Sequence, residues 1–370
     1  MELRNFINGQ FIDSISKKNI DVINPSNQEL VGKINQGLEE EIDLAYQAAR
    51  RAFQKRILID MDPKKKSKIM RAIASKLREY KHEGGKLLSK ENGKTITQCE
   101  GEFNGAADTF DYYAGMTDKI ENKLIPSGSD TFNYVVLEPF GVTLQIVPWN
   151  YPVSIFASMV AQNLIVGNTI IIKPPELCPI SSNLYGRIFQ EVGLPDGVVN
   201  IIHGYGEITG RKLVQNKECD YIVFTGSPEV ASEILKETAD RIIPCHFELG
   251  GKSAAIIYPD ADIDKAVDST IKGIFKPNAG QICVAMSRVI IHPKVKDEYM
   301  TKLVSKTKEL KIGAGDNSST EVTPLISKEQ IKRVSNYVKS GVQSGATLTL
   351  GGEELEIGKG NYYLPTIFDN

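Results

Sequence analysis

The 370-residue sequence has no long uninterrupted apolar run. Its most apolar region, residues 141–173, is interrupted by two prolines and three asparagines. A membrane-spanning helix needs about 18 or more consecutive apolar residues, so this region is expected to form soluble core. The first residues also lack a basic segment followed by an apolar one, which argues against a secretory signal. We therefore expect a protein with no membrane partner.

Neither positive nor negative charge is in excess, since the sequence contains 44 lysines and arginines and 46 aspartates and glutamates. This balance argues against a nucleic-acid partner. Histidine is scarce, with four residues and no metal-ligand spacing, so no metal centre is expected. The five cysteines are odd in number, far apart and never arranged as C-x-x-C, which argues against disulfides and a zinc site. These absences predict a reduced, cytoplasmic protein.

The composition is ordinary for a globular protein, and the length suits two to three domains. Helical periodicity dominates from about Glu39 to Gly115. Residues 131–150 predict two β-rich runs joined by a turn at EPFG. After residue 168, short apolar runs alternate with helical stretches, which predicts βαβ units and a parallel sheet. A second alternation follows Gly250 and Gly251, where we place the domain boundary, so the whole pattern predicts an α/β fold.

The segment NAGQICVAMSR places Cys283 after a small-residue turn and between two aliphatic neighbours, Ile282 and Val284. A free cysteine is often buried and behaves as a small hydrophobe. The segment alone therefore fits either a packed thiol or a nucleophile on a loop. Other motifs have to decide between these alternatives.

Two glycine-rich turns follow predicted strands. HGYGEITG, which starts at His203, has the spacing G-x-G-x-x-x-G instead of the tighter dinucleotide fingerprint. FTGS, which ends at Ser227, opens a helix whose backbone N–H groups can attract an anion. Both turns fit either a nucleotide site or an ordinary strand-to-helix connection.

Three polar motifs also stand at the ends of apolar runs. KPPE carries Lys173 and Glu176 at a predicted strand end, where ligands of parallel sheets bind, although a surface salt bridge fits equally well. PWN leaves the Asn150 amide between two prolines. ELGGK puts Glu248 before two glycines, and a carboxylate there fits either a general base or an ion-pair partner.

The motifs PWNYP, KPPE, FTGS, FELGGK and GQICVAMSR occur in the order and approximate spacing of the NAD(P)-dependent aldehyde dehydrogenase superfamily. The chain resembles that family over nearly its whole length. The resemblance implies a Rossmann-like parallel-sheet cofactor domain, an α/β catalytic domain and a protruding β-hairpin for oligomerisation. It places the NAD-binding domain at residues 1–124 and 141–249, the hairpin at 125–140 and the catalytic domain at 250–370. An intact member is expected to form a homodimer or homotetramer.

The resemblance also implies the chemistry, which is oxidation of an aldehyde to a carboxylate through a thiohemiacetal and a thioester on Cys283. The Asn150 amide and the Cys283 backbone N–H are similar to the oxyanion donors of the family. Glu248 is similar to the general base that hydrolyses the thioester. Relatives that pass the acyl group to coenzyme A lack this glutamate, so the expected product is the free acid.

NAD is the expected cofactor, because Lys173 and Glu176 resemble the pair that binds the adenosine ribose and the carboxylate disfavours the 2′-phosphate of NADP. The cofactor-binding residues implied by the resemblance are Lys173, Glu176, Gly206, Gly226, Ser227, Val230, Trp149, Leu249 and Gly250. The residues implied to line the substrate tunnel are Tyr151, Ile155, Ser158, Ile282 and Val284. None of these tunnel residues is cationic, which favours a neutral aliphatic or aromatic aldehyde.

The sequence stops at TIFDN, roughly a hundred residues before the usual end of the family pattern. That tail carries an E-x-F-G-P motif and a strand of the oligomerisation sheet, so the resemblance implies a C-terminally truncated member. Two alternatives stay open: an inactive fragment that binds dinucleotide, and a thiol hydrolase. The hydrolase needs a histidine paired with Cys283, and no motif links it to any of the four: His82, His203, His246 and His292.

Overall fold

The structure, a computed structural model, describes residues 2–13, 15 and 17–369. It divides into two compact units. Unit 1 comprises Met1–Ile20, Lys33–His82 and Gly101–Glu248, and unit 2 comprises Asp21–Gly32, Glu83–Glu100 and Leu249–Asn370. The chain passes for the last time from unit 1 to unit 2 between Glu248 and Leu249, beside the two glycines of ELGGK.

The helices follow the predicted pattern closely. Those in the described residues are α1 (Glu39–Gln54), α2 (Pro63–Asn92), α3 (Ile96–Ala114), α4 (Pro152–Val166), α5 (Ile180–Glu191), α6 (Arg211–Gln215), α7 (Pro228–Thr238), α8 (Ile263–Ile274), α9 (Pro293–Lys308) and α10 (Lys328–Gln343). The first three cover the stretch for which periodicity predicts helices, and that prediction is confirmed. Across the described ranges, no helix is both long enough and apolar enough to cross a membrane.

The strands are short. Those in the described residues are β1 (Glu2–Leu3), β2 (Asn5–Ile7), β3 (Gln10–Ile12), β4 (Asn19–Ile23), β5 (Leu30–Asn35), β6 (Lys123–Ile125), β7 (Asn133–Val135), β8 (Val142–Ile146), β9 (Thr169–Lys173), β10 (Val199–Ile201), β11 (Tyr221–Gly226), β12 (Cys245–Leu249), β13 (Ala254–Ile257), β14 (Arg288–Ile291), β15 (Thr347–Leu350), β16 (Glu354–Leu355), β17 (Tyr362–Tyr363) and β18 (Ile367–Asp369).

The main sheet of unit 1 has the strand order β12-β11-β8-β9-β10-β2-β3. Its central strands β11, β8, β9 and β10 are parallel neighbours, and β2 and β3 extend it by antiparallel pairing. The chain runs from β8 outward through β9 and β10, then returns to the other side of β8 as β11. This reversal is the topological switch point of a Rossmann-like sheet, beside which ligands bind at the carboxyl ends of the strands. The predicted parallel sheet is confirmed.

Strands β8, β9 and β10 are buried because both of their faces are covered, as parallel strands require. On one face Leu144, Ile171 and Ile222 pack in a core that includes apolar residues of α1 and α7. On the other face the Thr143 hydroxyl donates to Asn163 of α4 at 3.1 Å. Since helices cover the faces, a polar ligand meets this sheet at the ends of its strands.

A βαβ connection organises unit 2. Strands β13 and β14 are parallel neighbours joined through α8. Helices α8 and α9 pack together with these strands around Val267, Ile271 and Tyr299. Cys283 lies in the segment between α8 and β14. The second predicted alternation of strands and helices is confirmed.

The β-hairpin differs from the predicted one in its strands. β6 pairs with β7, with Lys123 opposite Val135 and Ile125 opposite Asn133. The second predicted β-rich run forms β8, which joins the main sheet instead of pairing with β7. EPFG is therefore a connection into the main sheet and not a hairpin turn. The reason is burial: β8 is almost entirely buried between two neighbours, whereas every residue of β6 and β7 is exposed.

Candidate active site

The carboxyl ends of β8, β9 and β11 lie side by side in unit 1. Ile146 at the end of β8 pairs with Lys173 of β9 on one side and with Phe224 of β11 on the other. The motifs PWN, KPPE and FTGS leave the sheet from these three ends. Three motifs that are distant in the sequence therefore meet at the switch point of the sheet.

A buried lysine and a carboxylate form the polar centre of this edge. The Lys173 side chain is 3% exposed, and its Nζ donates to Glu176 Oε2 at 3.0 Å and to the Pro174 carbonyl at 3.2 Å. Glu176 Oε1 accepts the Gly206 N–H at 3.4 Å. Burial disfavours the charged carboxyl, but Lys173 and the surrounding N–H groups outweigh burial and hold the pKa of Glu176 below its usual value. The pair thus presents an ionised acceptor beside a fixed donor.

His203 is fully buried near this pair. Its backbone N–H donates to Asn5 Oδ1 at 2.8 Å, and its Nε2 lies 3.2 Å from Asn183 Oδ1. Burial, together with the charge of Lys173, lowers the pKa of His203 to about 3. The ring is therefore neutral at physiological pH and does not repel the Lys173 ammonium.

The FTGS turn forms a capped helix start. Ser227 is the N-cap of α7, and its Oγ accepts the Val230 N–H at 3.4 Å. A Cβ at Gly226 would lie 2.3 Å from the Phe224 ring, so the absence of a side chain suits this turn. Val230 is 43% exposed on the first helical turn. Helix N-termini present N–H groups to negative charge, which makes this turn suitable for a pyrophosphate.

The PWN motif is fixed by two hydrogen bonds. Asn150 Oδ1 accepts the Tyr151 N–H at 3.0 Å. The carbonyl of Trp149 accepts the Cys178 thiol at 3.1 Å. The first of these bonds ties the Asn150 amide to the backbone of the following residue.

Two side chains hold the start of α4, which follows PWN directly. Glu102 Oε1 accepts the N–H groups of Val153 at 2.8 Å and Ser154 at 3.0 Å. The Tyr185 hydroxyl donates to the Val153 carbonyl at 2.7 Å. Burial, and then the charge of Glu102, raise the pKa of the Tyr185 hydroxyl well above its usual value, so it stays a donor. These contacts fix the backbone that carries Asn150.

Three of the predicted tunnel residues lie along one side of α4. Tyr151, Ile155 and Ser158 are separated by four and three positions, which places them on one helix face. All three are partly exposed. Ser158 Oγ accepts the Gln162 amide at 3.1 Å. This face carries a phenol, an aliphatic group and a hydroxyl, and no charge.

Glu248 lies near the end of β12, the edge strand of the main sheet. Its side chain is 67% exposed, and its Oε1 lies 3.3 Å from His246 Nε2. Leu249, which is 36% exposed, follows it as the first residue of the last segment of unit 2. An exposed carboxylate of this kind can accept a proton from water.

Cys283 occupies a tight turn in unit 2. The Ala285 N–H donates to the Ile282 carbonyl at 3.3 Å, which places Cys283 and Val284 at the two central positions of the turn. Val284 is 68% exposed, and Ile282 is partly exposed. The turn therefore presents the thiol together with its two aliphatic neighbours.

The other cysteines lie in different environments. All five cysteines fall within the described residues, and none of them forms a disulfide. Cys283 is exposed and Cys245 is half-buried, while the buried ones are Cys99, Cys178 and Cys219. Exposure therefore distinguishes Cys283 as the thiol that a substrate can reach.

The two glycines of ELGGK have different surroundings. A Cβ at Gly251 would lie 2.8 Å from the carbonyl oxygen of Cys283. A Cβ at Gly250 would meet no atom within 4 Å. Gly251 therefore allows close packing against the Cys283 turn, whereas Gly250 is open to an approaching ligand.

The predicted catalytic residues are distributed over both units, with Asn150 and Glu248 in unit 1 and Cys283 in unit 2. Within unit 1 the structure brings together three predicted residues, because Lys173 Nζ and the Gly206 N–H both donate to the Glu176 carboxylate.

Three residues that support the candidate site residues have no signal in the sequence: Glu102, Tyr185 and, in unit 2, Gln98. The hydrogen bonds of Glu102, Tyr185 and Gln98 join positions that are 51, 32 and 178 residues apart, respectively, so no local sequence motif predicts them.

Comparison with known proteins places the chain in a family. The sequence model of the aldehyde dehydrogenase family matches residues 11–370. The chain is 36% identical over 369 residues to the betaine aldehyde dehydrogenase of Bacillus subtilis, which covers 99% of this chain and 75% of that protein. It is 37% identical to aldehyde dehydrogenase family 2 member C4 of Arabidopsis thaliana, with 98% of this chain and 73% of that protein covered.

Solved structures agree with the sequence comparison. The NAD+ complex of an aldehyde dehydrogenase from Bacillus cereus superposes with a TM-score of 0.96 at 36% identity, covering 100% of this chain and 75% of that chain. This chain thus spans about three quarters of the length of such relatives. The α/β fold and an NAD-type cofactor are supported together. The chain belongs to the aldehyde dehydrogenase family, the NAD(P)-dependent enzymes that oxidise aldehydes.

Proposed function

We propose that this chain oxidises a neutral aldehyde to its carboxylate with NAD as cofactor, through an acyl intermediate on Cys283. The observation that carries the proposal is the exposure of the Cys283 thiol on a tight turn, whereas the other four cysteines are buried or half-buried. A thiol must be reachable to attack a carbonyl carbon, and its thiolate is the reacting form.

Attack by the Cys283 thiolate forms a C–S bond and moves the carbonyl electron pair onto oxygen. The resulting oxyanion needs donors, and we assign this role to Asn150 Nδ2 and the Cys283 backbone N–H. The assignment is supported by the hydrogen bond from the Tyr151 N–H to Asn150 Oδ1, which ties the amide to the start of α4. One such donor typically contributes about 100- to 1000-fold in rate.

The residues at the switch point fit a dinucleotide. Lys173 and the ionised Glu176 suit ribose hydroxyl groups, and the capped start of α7 suits a pyrophosphate. NAD, when bound, supplies the acceptor for the hydride that leaves the thiohemiacetal carbon. The Glu176 carboxylate favours NAD over NADP, because a 2′-phosphate beside it would bring two negative charges together. The other residues of the proposed cofactor site are Gly206, Gly226, Ser227, Val230, Trp149, Leu249 and Gly250.

Glu248 is the proposed general base for the second half of the reaction. It takes a proton from water while the water oxygen attacks the thioester carbon, and the Cys283 sulfur leaves with the C–S electron pair. Its exposure supports this role, because water reaches the carboxylate freely. The product is then the free acid.

The proposed substrate is a neutral aliphatic or aromatic aldehyde. Support comes from the α4 face formed by Tyr151, Ile155 and Ser158, which carries no charge, and from the aliphatic neighbours of the nucleophile, Ile282 and Val284. A distant carboxylate on the substrate would call for a cation, and none of these residues supplies one.

The two units of the structure correspond to the two domains of the proposed enzyme. The NAD-binding domain, residues 1–124 and 141–249, corresponds mainly to unit 1, and the catalytic domain, residues 250–370, corresponds mainly to unit 2. Unit 2 also takes in residues 21–32 and 83–100, which a contiguous sequence division does not anticipate.

The hairpin of β6 and β7 is the proposed contact in a homodimer or homotetramer. Its apolar side chains are unusually exposed for a soluble surface: Leu124 at 66%, Phe132 at 75%, Tyr134 at 58% and Leu137 at 64%. Contiguous exposed apolar groups mark interaction surfaces. The five free cysteines suit a reducing compartment, and we propose the cytoplasm.

Two other functions make different predictions. An inactive fragment would bind dinucleotide without turnover. A thiol hydrolase would need a histidine ring beside the Cys283 thiol. Three of the four histidines have other surroundings: His203 is buried, His246 lies beside Glu248, and the His292 ring accepts the Lys294 N–H at 3.2 Å.

Glu248→Gln tests the proposal directly. With an aldehyde and NAD, this variant is expected to form one equivalent of NADH and to stop with an acyl group on the Cys283 peptide, detected by mass spectrometry. Continued turnover at the parent rate would exclude Glu248 as the base. Dinucleotide binding without NADH in the parent chain would favour the fragment, and NAD-independent ester hydrolysis alone would favour the hydrolase.

A further inference from the structure

The backbone just before the Cys283 turn adopts an unusual conformation. Asn278, Ala279 and Gly280 have φ values of 48°, 52° and 79° in succession. Glycine tolerates the left-handed region and asparagine visits it, but the Cβ of an alanine opposes it. A conformation of this kind persists only where neighbouring groups determine it, and it concentrates at functional sites.

Gln98 of α3 supplies one set of such contacts. Its Nε2 donates to the Lys276 carbonyl at 2.8 Å, and its Oε1 accepts the Asn278 N–H at 3.4 Å. One side-chain amide therefore binds the backbone on both sides of Pro277. Gln98 is itself anchored, because its N–H donates to Thr95 Oγ1 at 3.3 Å in the first turn of α3.

Gln281 holds the other end of the segment. Its Nε2 donates to the Asn278 carbonyl at 2.9 Å, and its Oε1 accepts the Ile326 N–H at 3.0 Å. Ala279 packs against a small apolar core that contains Leu325 and Tyr363. The left-handed segment is thus tied to α3 and to the chain near residue 325, all within unit 2.

A series of short-range backbone hydrogen bonds continues from this segment to the nucleophile. The Gln281 N–H donates to the Asn278 carbonyl at 3.0 Å, and the Ile282 N–H donates to the Gly280 carbonyl at 2.8 Å. The Ala285 N–H then closes the Cys283 turn on the Ile282 carbonyl at 3.3 Å. The position of Asn278 therefore sets the position of the Cys283 backbone N–H and thiol.

We propose that Gln98 is a positioning residue for Cys283, which aligns the thiol and its backbone N–H by holding the left-handed segment at Lys276 and Asn278. This inference rests on the proposed role of Cys283 as the nucleophile. Acyl transfer to Cys283 needs both groups aligned, because the sulfur attacks while the N–H meets the developing oxyanion. Alkylation needs a reachable thiolate but no aligned oxyanion donor, so comparing the two reactions separates the positioning of Cys283 from its exposure.

The experiment measures both reactions on the 370-residue chain without NAD. In the first, the Cys283 thiolate attacks p-nitrophenyl acetate, a C–S bond forms, and p-nitrophenolate leaves with the C–O electron pair and is counted as a burst. In the second, iodoacetamide alkylates the cysteines, and mass spectrometry gives the rate for each. Buried Cys99, next to Gln98, reports any local unfolding.

Two variants and one control are compared with the parent chain. Gln98→Met keeps the length and removes both hydrogen bonds. Gln98→Glu keeps an acceptor for the Asn278 N–H, and its carboxyl group regains a donor when protonated. Gln343→Met makes the same chemical change at an exposed position of α10.

We expect the Gln98→Met burst to slow about tenfold while alkylation of Cys283 stays within about twofold, because small misplacements penalise aligned reactions most. The Gln98→Glu burst, relative to the parent, is expected to recover as pH falls from about 8 to about 5, where a carboxyl begins to protonate. Gln343→Met is expected to match the parent.

Three outcomes would overturn the inference. A parent-like burst in Gln98→Met would show that Gln98 does not position Cys283, with the proposed function intact. Equal slowing of both reactions, with Cys99 becoming reactive, would show a purely structural role. A parent chain without any Cys283-dependent burst would overturn the proposed nucleophile and this inference together.

Discussion

The Lys173 ammonium lies 3.0 Å from the Glu176 carboxylate although the lysine side chain is only 3% exposed. A buried cation has to be paired, so this contact is built into the fold and does not depend on a ligand. Glu176 remains 30% exposed, which leaves it able to meet a ribose. In the proposed function, the pair links the stability of the β9 end to the choice of cofactor.

Glu176→Gln is expected to relax the preference for NAD. The change removes the negative charge that opposes a 2′-phosphate while Lys173 stays in place, so kcat/KM for NADP relative to NAD should rise about tenfold or more. The measurement is steady-state NADH and NADPH formation with one aldehyde. Glu176→Asp keeps the charge and serves as the matched control, and an unchanged ratio in Glu176→Gln would contradict the assignment.

Glu102→Ala is expected to destabilise unit 1 more than Glu102→Gln. The alanine variant leaves the Val153 and Ser154 N–H groups without their acceptor, and each unsatisfied buried group costs about 1–3 kcal/mol. Glutamine retains an oxygen at the same place. Urea unfolding of both variants gives the difference, which should exceed about 1 kcal/mol. Equal losses would mean that the charge of Glu102, and not the acceptor oxygen, is what matters.

Gly251→Ala and Gly250→Ala form a second matched pair. A Cβ at Gly251 would lie 2.8 Å from the Cys283 carbonyl, whereas one at Gly250 meets nothing within 4 Å. Overpacking of this kind costs about 1–3 kcal/mol. We expect Gly251→Ala to lower both the free energy of unfolding and the rate of ester acylation without NAD, and Gly250→Ala to change neither appreciably. Similar effects of the two substitutions would refute the packing of Gly251 against the Cys283 turn.

His203 is expected to make the fold acid-sensitive. Its pKa is about 3 in the folded chain, below the ordinary value near 6.5, so the unfolded state binds the extra proton. The neutral His203 ring therefore contributes fully to the free energy of unfolding above about pH 6.5. As the pH falls toward about 3, that free energy decreases by up to about 1.4 kcal/mol per pH unit. Urea unfolding of the parent and of His203→Gln at about pH 7 and about pH 5 tests this. Parallel pH dependences of the two proteins would contradict it.

The sequence predicts the central architecture because the relevant signals are local. Apolar runs such as NTIIIK and the glycine turn FTGS contain the whole pattern of a buried parallel strand and a helix start within a few residues. The prediction of the hairpin strands is wrong because it also relies on local signals. β7 and β8 are both apolar and adjacent in the sequence, which favours pairing them with each other. Which strand each one pairs with depends on residues elsewhere in the chain.

The side chains that hold the candidate site residues in place could not be predicted from local signals. Glu102 looks like any helix-surface carboxylate in the sequence, and Gln98 like any glutamine near a helix start. Their roles arise only when the fold brings them to the start of α4 and to the segment at Lys276. Long-range hydrogen bonds of this kind have no periodicity, and no motif in this sequence encodes them.

Aldehyde-dependent NADH formation by the 370-residue chain is the decisive measurement for the proposed role of Cys283. The parent is compared with Cys283→Ala and, as a matched control, with Cys245→Ala at a half-buried cysteine. We expect turnover of neutral aldehydes in the parent and in Cys245→Ala, and none in Cys283→Ala. NADH formation that persists in Cys283→Ala would contradict the proposed role.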